Sequence, residues 1–189
     1  NMGLLRAADT FFALRFLRLL TTPWEKTGAY KNGIVDGKGV VIKKPETSTE
    51  KGTYNLFHKL VFNVKRLLNK IPFGKSKLAS YAAGLYLIKE HTGMSEQLLG
   101  ELLFEATGYN PINDIDEPQI TSLEEGSYLL NETLFFENGE MLNTSRSLLL
   151  TFNEGTCESI GSIFNIPIYR VRVDPGLSVL VTSKNITKT

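Results

Sequence analysis

Tyr54-Asn55-Leu56-Phe57-His58-Lys59-Leu60-Val61-Phe62-Asn63-Val64-Lys65-Arg66-Leu67-Leu68-Asn69-Lys70-Ile71 is the stretch from which the fold is read. Tyr54, Phe57, Leu60, Val61, Val64, Leu67, Leu68 and Ile71 recur every three or four positions and lie on one stripe, the period of a half-buried helix. Thr47 and Glu50 have capping-box spacing, which predicts a helix over Thr49–Ile71 ended by Pro72 and Gly74. A second helix is expected from about Ser76 to Thr92, with Leu78, Tyr81, Ala82, Leu85 and Ile88 turned inward. Gly93 closes it, Ser95 caps a further helix, and Gly108 ends that one.

Upstream, residues 4–22 read as a helix stopped by Pro23. Its apolar side chains go almost all the way round: Phe12, Phe16, Leu5 and Leu19 on one side, Leu14, Phe11 and Leu4 on another. Such a helix is either central to a core or shared with a second copy. Ile34-Val35 and Val40-Val41-Ile42 flank Asp36-Gly37-Lys38-Gly39, a hairpin pattern. Downstream of Gly108 the helical period disappears. Pro111, Asp114, Asp116, Glu117 and Pro118 mark residues 109–125 as an acidic, stiffened linker. Beyond it, short β-favouring runs at Tyr128–Leu130, Leu134–Phe136, Ser147–Phe152, Ser159–Phe164, Ile168–Val173 and Val179–Thr182 predict a small antiparallel barrel, with SH3-like topology as the best match to its size. The expected architecture is α+β: a helical domain with a hairpin over residues 2–108, the linker, and a barrel over residues 126–187.

Charge follows the same division. Residues 1–93 hold sixteen Lys/Arg against six Asp/Glu, and residues 94–189 hold five against fourteen, so a net charge of +1 conceals halves of +10 and −9. Opposite halves imply different surfaces and partners. On the 49–71 helix, the face away from the stripe carries His58, Lys59, Lys65, Arg66, Asn69 and Lys70, with Phe62 among them. An aromatic in a basic field is suited to stacking on a base or anchoring a partner. The plainer reading is a second, smaller contact with the hairpin or the first helix. Lys59, Phe62, Arg66 and Lys70 are the candidate binding residues.

No catalytic grouping emerges from the sequence. Gly74-Lys75-Ser76 resembles the end of a phosphate-binding loop, but the position five before Gly74 is Asn69 rather than glycine, and a helix precedes it instead of a strand. His58 and His91 lack a metal-binding residue at helical spacing and read as surface or helix-end residues. Cys157, the one cysteine, lies between Glu154 and Glu158, where negative charge makes a thiol unreactive. No cofactor motif and no metal site are expected, and the protein reads as a non-enzyme. Arg6, Asp9, Arg15 and Arg18 interrupt the apolar N-terminal run, which argues against membrane attachment. Asn1 precedes Met2, which reads as the native start.

Residues 7–31, Ala-Ala-Asp-Thr-Phe-Phe-Ala-Leu-Arg-Phe-Leu-Arg-Leu-Leu-Thr-Thr-Pro-Trp-Glu-Lys-Thr-Gly-Ala-Tyr-Lys, carry a resemblance. It extends to residues 56–90, from Leu-Phe-His-Lys-Leu-Val-Phe-Asn through Lys-Leu-Ala-Ser-Tyr-Ala-Ala to Ile-Lys-Glu, and to Ile160-Gly-Ser-Ile-Phe-Asn-Ile-Pro-Ile-Tyr169. Together they resemble a protein of marine contractile-tailed bacteriophages encoded among head-assembly genes. The resemblance implies a virion or head-assembly component, in the host cytoplasm or the virion, that contacts other phage structural proteins or itself. It transfers no functional residue. Nucleic-acid binding by the basic helical face is the alternative function.

Overall fold

The computed structural model describes residues 7–70, 74, 77–114, 122–124, 126–130, 134–142, 149–152, 157–174 and 177–188. Its helices are α1 (Ala7–Thr21), α2 (Gly28–Lys31), α3 (Ser48–Thr53), α4 (Leu56–Lys70), α5 (Leu78–Thr92) and α6 (Glu96–Thr107), with 3-10 turns at Trp24–Lys26 and Pro111–Asp114. The strands are β1 (Ser122–Leu123), β2 (Gly126–Leu130), β3 (Leu134–Phe136), β4 (Met141–Leu142), β5 (Leu149–Phe152), β6 (Cys157–Glu158), β7 (Gly161–Ile163), β8 (Ile166–Asp174), β9 (Leu177–Val181) and β10 (Ile186–Lys188).

The helix expected over 49–71 is two helices. Thr47 closes the capping box of α3 with Glu50. The chain then leaves the helical conformation at Tyr54, with φ −148° and ψ 59°, and Asn55 starts α4 by accepting the His58 amide on its side-chain oxygen at 3.1 Å. This break lets Tyr54 leave the main stripe and pack elsewhere. Phe57, Leu60, Val61, Val64 and Leu67 hold the stripe and bury against α1 and α5. Gly93 and Gly108 end α5 and α6 in left-handed conformations, and Ser95 caps α6. Helix α1 lies at the surface of the core with apolar side chains on both faces: Ala13, Phe16 and Leu20 are buried, while Phe11 and Leu14 are 54% and 64% exposed.

The sheets are antiparallel. Five strands run in the order β4-β3-β9-β8-β7, three in the order β10-β2-β5, and β1 pairs β6. Among the described residues neither ladder closes on itself, so the fold stands as α+β with open sheets; the closed SH3-like barrel expected from strand number is not seen. The physical reason lies in β8 and β9, which bury residues on both faces, with Arg170 of β8 half exposed in an ion pair with Glu137. Ile168 and Leu180 join the helical core, while Tyr169, Val171, Val179 and Val181 pack against Tyr128, Leu130 and Ile186 of the three-stranded sheet. A barrel strand has one face toward solvent; these strands are a middle layer between helices and a second sheet. Ile163 and Phe164 also enter the helical core, so one apolar cluster spans the basic and acidic halves. The residues expected to start the linker are seated: a Cβ on Gly100 of α6 would lie 2.7 Å from Ile112 and 2.8 Å from Asn110. Residues 115–121 lie outside the described residues.

Candidate binding cleft

The face of α4 opposite its main stripe is built on a small second core. Phe62 is fully buried there with Trp24, Ala29, Ile34, Val35 and Tyr54. Its ring meets Trp24 edge-on at 5.0 Å and stacks on Tyr54 at 6.1 Å. Pro23 ends the first helical segment and the following 3-10 turn presents Trp24. The expected hairpin forms a single bridge, Val35 to Val41, flanked by the Asp36 amide donating to the Val40 carbonyl at 2.9 Å and the Ile42 amide to the Ile34 carbonyl at 2.8 Å. Asp36 Oδ1 accepts the amides of Lys38 at 2.8 Å and Val40 at 2.9 Å, and these bonds, Val40's foremost, hold its carboxyl below the usual range. Gly39 then lies on the indole: a Cβ there would be 2.4 Å from the ring, and its φ is +82°.

Two of the four candidate residues meet across this face. Arg66 donates from Nε to the Gly39 carbonyl at 2.7 Å, from Nη1 to Asn63 Oδ1 at 2.7 Å, and from Nη2 to the Tyr54 hydroxyl at 3.5 Å. Lys59 extends over the Tyr54 ring, its Nζ 6.0 Å from the centroid. Phe62 has no surface left for stacking on a base; it is the second, smaller contact that the hairpin makes with α4. Lys70 ends α4, and its side chain lies outside the described residues. Asn63 donates to the Gly139 carbonyl of the β3–β4 turn, and that turn closes one end of the site. A Cβ on Gly139 would lie 2.9 Å from Leu56 and 3.1 Å from Lys59.

Between α4, loop 38–45 and this turn lies a cleft of about 800 Å³. Loop residues Lys38, Lys43 and Lys44 join Lys59 and Arg66 in its walls, with Glu140 the acidic residue among them. Lys43 pairs with Glu50, whose carboxyl is held at about 2 by that lysine and the Thr47 amide. Lys38, Lys44, Lys59 and Arg66 form no salt bridge among the described residues. Along the same loop, Val40, Val41 and Ile42 are exposed large apolar residues, Val40 at 55% and Ile42 at 63%. Cations without a salt bridge among the described residues, beside an apolar strip, suit an anionic partner that also has a greasy anchor.

Two basic-face residues point away from the cleft. Lys65 is buried, donates to the Thr22 carbonyl and sits 4.2 Å over Trp24; burial pushes its pKa down to about 8 against the pull of Glu25. His58, expected at a surface or helix end, stands in the first turn of α4 but is buried. Its Nδ1 lies 2.7 Å from Asn55 Oδ1, an acceptor, so Nδ1 carries the proton. Burial foremost, then the charge of Arg15, lowers its pKa to about 4. Among the described residues no three of His, Cys, Asp and Glu gather as metal ligands, and no helix is long and apolar enough to cross a membrane. The side chain of Cys157 lies outside the described residues.

Reading the sequence alone missed the loop lysines. Their signal was Lys43-Lys44-Pro45 directly after an apolar run, but which cations would face Lys59 and Arg66 is decided by tertiary packing. Comparison with protein-family models, curated proteins and solved structures finds no match in any of the three.

Proposed function

We propose that this is a non-enzymatic assembly protein, working through protein contacts, and that its basic cleft receives an acidic segment of a partner chain. The observation carrying this reading is the pairing of Lys38, Lys44, Lys59 and Arg66, which form no salt bridge among the described residues, with the exposed Val40–Ile42 strip. The resemblance to phage head-assembly proteins read from the sequence points to the same class, and a phage structural protein is the partner we propose. Nucleic-acid binding is the second reading, favoured by the number of cations in the cleft. Against it stands the burial of Tyr54 and Trp24, the rings beside Lys59 and Arg66, and of Phe62 beneath them, since strand-binding grooves stack bases on exposed rings.

Titration with an acidic peptide bearing aromatic residues, and separately with single-stranded DNA, tests the choice. The peptide is expected to bind, and Lys44→Glu with Lys59→Glu to abolish that binding. Tighter binding of DNA than of peptide at physiological salt, with a log–log salt slope that flattens by roughly 0.7–0.9 per lysine removed, would favour the nucleic-acid reading instead.

A further inference from the structure

We infer that the occupant of the cleft is a second copy of this chain, which lays the outer face of its α6 between loop 38–45 and α4. The inference rests on the reading of the cleft as a protein-docking site. Helix α6 buries Leu98, Leu99, Leu102 and Leu103 and turns Gln97, Glu101, Phe104 and Glu105 outward. Phe104 is 53% exposed, a large aromatic between two carboxylates. Glu101 and Phe104 are three apart and share a helix face, and Glu105 flanks them. Glu101 accepts a hydrogen bond from Gln97 at 3.1 Å, and neither Glu101 nor Glu105 forms a salt bridge among the described residues.

The two surfaces complement each other in kind. One offers an apolar anchor flanked by negative charge, and the other an apolar rim at Val40 and Ile42 flanked by Lys38, Lys44 and Lys59. A helix laid into a groove by one aromatic anchor, with charges fixing its orientation, is a recurrent docking mode. The cleft and the outer face of α6 are different surfaces of one molecule, so the contact is head-to-tail and generates a ring or an open filament.

Light scattering against concentration and salt tests this, with two charge-reversed proteins, Lys38→Glu/Lys44→Glu and Glu101→Lys/Glu105→Lys. The wild type is expected to associate at low salt and to dissociate near 1 M, where the screening length falls to about 3 Å. Each reversed protein alone is expected to need at least about tenfold more protein to associate, while an equimolar mixture of the two recovers association. Phe104→Ser is expected to weaken association at every salt concentration at which the wild type associates. Thermal unfolding of each variant is expected at the wild-type temperature, which checks that the substitutions leave the fold intact. A monomer under all conditions, or association indifferent to both reversals, would overturn the inference. The acidic-peptide titration separates the two levels: peptide binding without self-association sinks the inference and spares the docking reading, whereas loss of both sinks both.

Discussion

Gly39 carries two constraints that separate experimentally. Its backbone is left-handed, and its Cα lies against the Trp24 ring. Gly108 has nearly the same φ, +81°, with nothing within 4 Å of where a Cβ would stand. Gly108→Ala is therefore expected to cost only the left-handed penalty, about 1 kcal/mol. Gly39→Ala adds a collision with an immovable ring and is expected to cost at least about 2 kcal/mol more, read as urea midpoints of the two variants. Equal losses would mean that the ring contact does not matter. At His58 the folded pKa, about 4, lies below the ordinary 6.5, so the unfolded chain binds the proton more readily. The stability of the neutral, buried ring is fully present above pH 6.5 and is lost as pH falls toward 4. The loss is expected to be on the order of 2 kcal/mol after allowance for solvent screening. Glu50 acts in the same direction lower down, its contribution present above 4.5 and lost toward 2. Urea unfolding between pH 7 and 4 should show the first slope in the wild type and its absence in His58→Gln.

The β7–β8 turn shows how an element can trade backbone comfort for burial. Its two central residues, Phe164 and Asn165, both have positive φ, 49° and 62°, in a two-residue hairpin closed by the Ile163–Ile166 pair. Glycine or asparagine is the usual occupant of such positions. Phe164 occupies the first because its ring is 2% exposed in the core shared with the helices. Phe164→Gly would relieve about 1 kcal/mol of backbone strain and forfeit about 3 kcal/mol of packing, a net loss of roughly 2 kcal/mol. Asn165→Gly should stay within about 0.5 kcal/mol of wild type, and calorimetry on the pair checks both. Elements of this chain were legible where the determinant is local. The Thr47–Glu50 capping box, the Ser95 cap, the terminating Gly93 and Gly108, and the β7–β8 strands all follow from neighbours in sequence. The break at Tyr54–Asn55 was hidden because the apolar period runs straight through it, while the Asn55 side chain restarts the helix by accepting from the His58 amide and ring. Phe62 read as a lone apolar residue among lysines because its partners, Trp24 and Ile34, come from distant segments. That no sheet closes into a barrel among the described residues has a related reason: strand count does not reveal that β8 and β9 bury residues on both sides.

At the scale of the molecule, the division by charge is not a division of the core. Ile163, Phe164, Ile168 and Leu180 from the acidic half pack with Leu85, Ile88 and Leu99 from the helices. Separated from the helices, residues 122–189 would expose those four side chains to water at a cost of about 1.5–3 kcal/mol each. That fragment alone is expected to bind a hydrophobic dye or precipitate, and co-expression with residues 1–114 to restore a soluble complex. A dispersed NMR spectrum from the isolated fragment would count against a required shared core. The cleft also draws on both halves, through Lys59 and Arg66 from one and Gly139 and Glu140 from the other. The chain contains one tryptophan, and it lies beneath that cleft, with Gly39 on its ring, Lys65 4.2 Å away and the Arg66 guanidinium carbon 5.5 Å away. The protein thus has its own optical sensor: all indole emission comes from a buried ring next to two cations. Any occupant that draws Arg66 or Gly39 toward itself is expected to change emission wavelength or intensity without an added label, and Trp24→Phe to leave that channel dark. Stopped-flow fluorescence would then read the rate of docking directly, and a signal unchanged at saturating occupant would place binding elsewhere on the surface.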